Sequence, residues 1–234
     1  LQIVTVANYV ANGEDYESEL IRINGASITS GTWPTSGSEN LTISDDGGTS
    51  TVVMRIDSDM DIIGNPALLA APPFDVQGIA GQYNDYQILP RYYTDLIQYQ
   101  PQVVNVPTDY STIQAALTAA NATDTVLVQP GTYTENIIWP ETNGIKLISA
   151  GDSSNTIIDG GGNTSVITID LSSTTIDSNT IIDGFKITNG FASTKGGGIQ
   201  LDSVSNMLIK NTLVENNSSS FYGGGMSCFY SSPN

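Results

Sequence analysis

A repeat sets the terms for the second half of this chain. GGGI at 196–199 recurs as GGGM at 223–226, 27 residues on. The same offset sets IDGFKITNG (182–190) against IKNTLVENN (209–217), bringing Ile182 to Ile209, Ile187 to Val214 and Asn189 to Asn216. A second match, IIDG at 157–160 and 181–184, has an offset of 24. Short β-branched runs punctuated by Gly and Asn at such a period imply stacked circuits. Each circuit pairs its backbone with the next at about 4.8 Å, because none can bury its apolar face alone.

The pattern therefore predicts a parallel β-helix. Ile145, Leu147, Ile157, Ile167, Ile169, Ile182, Ile187, Ile199, Leu201, Ile209 and Val214 are expected inside. Asn189 and Asn216 are expected to stack as an Asn ladder at one corner. Gly184 and the triplets Gly196–Gly198 and Gly223–Gly225 fall at bends. Ahead of the first circuit, Ser111 reads as an N-cap, with Ile113, Ala116, Leu117 and Ala120 on one helical face.

DYSTIQAALTAANATDTVLVQPGTYTEN (109–136) resembles the opening of the right-handed β-helices of the pectate-lyase-like superfamily, a capping helix followed by a first coil. IIDGFKITNG and GGGIQLDSV resemble its repeat units. The resemblance covers 107–234. It implies a fold, but its relatives range from lyases and hydrolases to non-catalytic surface proteins. Lyases of this shape abstract a proton with Lys or Arg and hold calcium through Asp. Residues 107–234 contain no Arg, and the chain contains no His. Lys186, Lys210, Asp183 and Asp202 remain as candidates. The 27-residue offset puts Asp183 over Lys210, and an ion pair between circuits accounts for both without catalysis.

The first half has another texture. LIRING (20–25), LTISDDGG (41–48), TVVMRID (51–57) and FDVQGIAG (74–81) alternate or carry β-branched residues between turn signals. Val4–Tyr9 and Asp59–Leu69 read as helical or looped additions. About five strands predict a small closed barrel. With YESELIRING, FDVQGIAGQY and YQILPR, the half resembles the small OB-fold modules of secreted multidomain bacterial proteins. The expected organisation is an all-β chain with an OB-like barrel over 1–98 and a linker over 99–106. A right-handed parallel β-helix with an N-terminal capping helix follows over 107–234, incomplete at its C-terminal end.

Composition narrows the function. Seven Lys and Arg against 24 Asp and Glu give a net charge of -17, with 13% charged residues. Nucleic acid and anionic membranes are not expected partners, since both need clustered cations. No apolar run is long enough to insert into a membrane. The single Cys228 forms no disulfide within the chain. Low charge and richness in Ser, Thr and Asn point to a secreted, bacterial cell-surface protein, read here as starting after a removed signal. Asn-x-Ser/Thr at Asn40, Asn121, Asn163, Asn216 and Asn217 is background in such a composition.

Three groups of residues carry chemistry. Trp33, Tyr83, Tyr86, Tyr92 and Tyr93 are candidates for stacking on sugars, or for packing alone. Asp57, Asp59 and Asp61 alternate in DSDMD, a spacing that suits calcium or a solvated strand end. No other cofactor is expected. Met226, Cys228, Phe229 and Tyr230 lie on the last circuit, whose open edge is an association site for other copies or for further coils. The expected function is a non-catalytic extracellular surface, matrix or filament protein that adheres to polysaccharide. The alternative is the front portion of a polysaccharide lyase or glycoside hydrolase whose catalytic coils lie beyond Asn234.

Overall fold

The computed structural model describes residues 1–65, 73–170, 178–204, 206–231 and 233. It divides into two compact units, Leu1–Gln100 and Pro101–Asn234.

The first unit runs β1 (Gln2–Ile3), α1 (Val6–Ala11), β2 (Leu20–Ser30), β3 (Glu39–Ser44), β4 (Val52–Ile56), β5 (Phe74–Tyr83), β6 (Asp85–Leu89) and β7 (Leu96–Gln98). Strands β2 to β6 close into a five-stranded barrel in the order β2-β3-β4-β6-β5-β2. All its pairs are antiparallel except β4–β6. Closure leaves none of these five strands as a sheet edge. Alternation does the rest: Val52, Met54 and Ile56 of β4 turn inward, as do Ile21 and Ile23 of β2. The register slips between Ile23 and Ala26, which keeps Ala26 in the core. Helix α1 is capped by Thr5, whose side chain accepts from the Asn8 amide. The fully buried Tyr9 hydroxyl donates to the Gln87 carbonyl (2.8 Å) and accepts from the Gly81 amide (3.1 Å), tying α1 to the β5–β6 hairpin. Burial pushes its pKa up to about 12. Helix α1 overlaps the expected addition over 4–9 and runs two residues past it. Of the addition over 59–69, residues 59–64 are turn or bend, and 66–69 lie outside the described residues.

In the second unit the chain makes successive circuits. It starts with β8 (Val103–Val106) and α2 (Ile113–Ala119). One circuit is β9 (Thr125–Val128), β10 (Gly131–Thr134) and β11 (Ile137–Ile138). The next is β12 (Lys146–Ser149), β13 (Thr156–Asp159) and β14 (Ile167–Asp170). Then come β15 (Ile181–Asp183), β16 (Lys186–Thr188), β17 (Phe191–Ala192) and β18 (Ile199–Asp202). The last described circuit is β19 (Leu208–Lys210), β20 (Leu213–Val214), β21 (Ser218–Ser219) and β22 (Met226–Phe229). Every pairing between named strands is parallel and joins one circuit to the next. The sheets are β8-β9-β12-β15-β19, β10-β13-β16-β20, β11-β14-β18-β22 and β17-β21. Inward positions stack: Val126, Leu147 and Ile182 in the first sheet, Ile167, Ile199 and Met226 in the third.

The 27-residue offset is the true register, since Ile182 pairs with Ile209, Ile187 with Val214 and Ile199 with Met226. The IIDG match is not. Ile157 belongs to β13 in the second sheet, whereas Ile181 belongs to β15 in the first. Ile157 is consequently half-buried, while its neighbours Thr156 and Ile158 are fully buried. Thr156 is accommodated because the Ser149 hydroxyl bonds to its Oγ1 (2.7 Å). Ile145, Leu147, Ile167, Ile169, Ile182, Ile187, Ile199 and Leu201 are fully buried, and Ile209 and Val214 only partly. The glycine triplet earns its place by close approach. A Cβ on Gly197 would sit 2.1 Å from the Ser218 carbonyl oxygen of the next circuit.

Two local expectations shift. The N-cap of α2 is Thr112, not Ser111, and its hydroxyl accepts from the Ala115 amide. Glu135 supplies the rest of the cap, accepting from the Ile113 and Gln114 amides at 2.9 Å each. The Gln114 side chain then pairs with the Ile138 backbone, accepting its N–H at 2.7 Å and donating to its carbonyl at 2.9 Å. Of the expected linker over 99–106, residues 103–106 are strand β8, paired with β9.

The register gives an expected outcome. Ile158→Asp places an unpaired charge in the core and costs about 3–5 kcal/mol. Ile157→Asp, one residue away, costs about 1 kcal/mol or less. Thermal melting of the two variants checks the order, and a reversed order counts against this register.

Candidate functional site

The barrel carries the first candidate. A cleft of about 600 Å³ is lined by Asp57, Asp59, Asp61, Leu89, Arg91 and Tyr92, among others. It thus gathers the DSDMD acids and one of the five candidate aromatics. A single carboxylate organises its rim. Asp95, almost fully buried, accepts from the Arg91 amide (2.8 Å), the Arg91 guanidinium (3.0 Å) and the Gln77 side chain (2.6 Å). That holds Arg91 5.8 Å above the ring of Tyr92, which is 59% exposed. Sequence reading missed Asp95. Its signal was the Arg-x-x-x-Asp spacing in RYYTD (91–95).

Two of the three acids of the cleft are engaged by protein donors. Asp57 accepts from Arg55 Nε (2.9 Å) and Asp61 from the Tyr93 amide (2.7 Å). Among the described residues no three carboxylate, Cys or His side chains converge on a cation-sized site. The other aromatics are spread. Tyr93 and Trp33 pack against the barrel core, and the buried Trp33 Nε1–H finds no acceptor among the described residues. Tyr86 lies against Tyr9, covers Gly13 and donates to Glu14 (3.0 Å). Tyr83 is 77% exposed and does not line the cleft.

In the second unit the lysines proposed for chemistry are held by carboxylates. Lys210 Nζ lies 3.3 Å from Asp183 of the preceding circuit, and Asp183 also accepts from the Asn211 amide side chain (2.9 Å). Lys186 reaches across to Glu215 at 2.5 Å. Lys195 bonds Asp202 at 2.6 Å, its ammonium 3.9 Å above the centre of the Phe229 ring. The Lys210 and Lys186 pairs are struts between circuits, while Lys195–Asp202 lies within one circuit and reaches the next through Phe229.

The last described circuit is thinly covered. Met226 is half-buried, Cys228 is exposed, and Phe229 (51%) and Tyr230 (82%) form an edge-to-face pair 4.4 Å apart. Phe221 and Tyr222 of the same circuit are also exposed. Residues 232 and 234 of the expected association segment lie outside the described residues. Asn189 and Asn216 both take positive φ at one corner. The Asn189 amide nitrogen donates to Asp159 (2.9 Å) rather than to Asn216. It is Asn217 that bridges circuits, accepting from the Gly190 amide (2.7 Å) and donating to the Ile187 carbonyl (2.9 Å). No family model, curated protein or solved structure matches this chain.

Two carboxylates of the barrel give opposite pH dependences. Burial pushes Asp95 up, but its bonds from Arg91 and Gln77 outweigh this and hold it below the usual range. Its stabilisation is present above the unfolded-state pKa and is lost as pH falls through the lowered folded value. Burial raises Asp45, whose Oδ2 accepts from the Val6 amide (3.1 Å) while its buried Oδ1 has no partner among the described residues. Its favourable contribution is present below the unfolded-state pKa and is lost as pH rises through the raised folded value. Asp95→Ala is expected to cost about 2 kcal/mol, less than a fully buried pair because Arg91 is 39% exposed. Asp45→Asn is expected to raise stability at neutral pH. Denaturant titrations at neutral and acidic pH check both signs.

Proposed function

We infer that this chain is a non-catalytic structural module of a secreted bacterial surface protein. It adheres to polysaccharide and associates through the last circuit of its second unit. In this reading the strand order of the barrel is that of an OB-fold, and the circuits are a right-handed parallel β-helix with α2 as its N-terminal cap. Helix α2 supports the capping role because Gln114 takes up both backbone groups of Ile138.

One observation carries the non-catalytic reading: Lys186, Lys195 and Lys210 are each bound to a carboxylate. A lysine held this way has its ammonium directed at a neighbouring carboxylate of the protein rather than at a bound polymer. The surface role draws on the low charge and Ser/Thr/Asn richness, which keep a large β surface wet without cations. Association draws on the last circuit, where Ile209, Val214 and Met226 are only partly covered while Ile182, Ile187 and Ile199 one circuit earlier are fully buried. Another copy docked on this circuit covers these partly buried residues.

The full 234-residue chain is expected to release no unsaturated product from polygalacturonate or alginate, with or without calcium. Lys186→Ala and Lys210→Ala are expected to shift stability by about 0–1 kcal/mol each. Product formation abolished by either substitution would establish the enzymatic alternative. In sedimentation the chain is expected to self-associate at micromolar concentration. A monomer with exchange-protected amides over 226–229 speaks against association through this circuit.

A further inference from the structure

A groove of about 580 Å³ runs across the corner where the second sheet of the circuits ends. Three consecutive circuits place Asp159, Asn189 and Asn216 along it. Phe191 and Ser218 form one side, and Gly162 leaves space at the other. We propose that this groove binds a neutral, linear polysaccharide lying along the stacking direction. The proposal rests on the polysaccharide-adhesion part of the reading above and names its site and ligand class.

Phe191 is the anchor. It is 42% exposed, and its ladder partner is Ser218, too small to cover a phenyl ring. A cross-strand neighbour shields an aromatic only if it is large enough to reach over the ring, and Ser218 is not. Here the ring lies open among glycine and short polar groups, a surface suited to the C–H face of a pyranose. The polar groups are held in place beforehand. Asp159 accepts from the Gly161 amide (2.9 Å) and from Asn189 Nδ2 (2.9 Å), which locks the amide and leaves its Oδ1 end to accept from a hydroxyl. Preorganisation of this kind lowers the entropic cost of binding.

The register supplies the polymer. Asp159 pairs with Thr188, the residue before Asn189, and the Ile187–Val214 pairing carries Asn189 over Asn216. Asn189 and Asn216 thus stand one circuit apart, about 4.8 Å, with Asp159 one circuit earlier and offset by one residue. A single sugar would use one interval, and an extended chain spans both. Charge sets the class. Among the described residues lining the groove none is Lys or Arg, one is Asp, and the whole chain carries -17. A polyuronate would meet like charge with nothing to neutralise it.

Affinity electrophoresis of the full chain tests this, in gels containing a soluble β-glucan, a galactomannan or polygalacturonate. Retardation by a neutral polymer is expected, with free oligosaccharide competing and free monosaccharide not. Phe191→Ala is expected to weaken binding by at least about tenfold, Phe191→Tyr to retain it, and Tyr92→Ala in the barrel cleft to leave it unchanged. Ser218→Arg, which lays a long side chain beside the ring from an exposed position, is a second block that keeps Phe191 in place. Undiminished retardation of both Phe191→Ala and Ser218→Arg overturns the groove. Loss in Tyr92→Ala alone overturns it too, while adhesion itself stands. Retention by polygalacturonate alone overturns the ligand class, and no retention by any polymer removes the adhesion reading together with the groove.

Discussion

The in-register backbone ladder between successive circuits is the interaction on which the second unit depends. It fixes which side chains meet. Once Ile182 pairs with Ile209, the apolar columns fill, Asp183 comes to lie beside Lys210, and Gly197 meets the Ser218 carbonyl too closely for any Cβ. The ion pairs are consequences of the ladder rather than its cause, since partly exposed pairs contribute little alone. The barrel obeys a parallel constraint. Pairing of β2 with β5 closes the sheet, and the closed sheet leaves Tyr9 to pin a helix across the hairpin.

The sequence was legible where period and burial coincide. The 27-residue offset is carried by inward isoleucines and valines on consecutive circuits, so it reports real neighbours. The 24-residue IIDG match failed because circuits differ in length: Lys146 pairs with Ile181, but Ile181 with Leu208. A four-residue identity then falls on two different sheets, and Ile158 rather than Ile157 turns inward. The polar Thr156 beside it hides the alternation, since its bonds to Ser149 and Asn155 make it acceptable inside.

Site residues were harder to read because their roles arise from tertiary contacts. Asp95 gathers donors from Arg91 and from Gln77, 18 positions away. Glu135 caps a helix that begins 22 residues earlier. Nothing in local spacing signals either long-range bond. The five candidate aromatics looked alike in sequence, yet Tyr86 and Trp33 are occupied with packing and only Tyr92 lines the cleft. Phe191 was overlooked for a complementary reason. An aromatic after Asn-Gly reads as an ordinary strand start, and only the small partner opposite reveals its open face.

The arrangement of ladders also governs how this unit comes apart. Its sheets connect each circuit only to the circuits beside it, so no ladder ties the first to the last. Local stability is then graded rather than uniform. At the end bearing α2, Glu135 and Gln114 satisfy backbone groups that the ladders leave open. The circuit containing Ile209, Val214 and Met226 has only partly buried apolar residues, so less burial holds its ladder. A substitution that loosens one circuit is therefore felt first by the circuits it is laddered to.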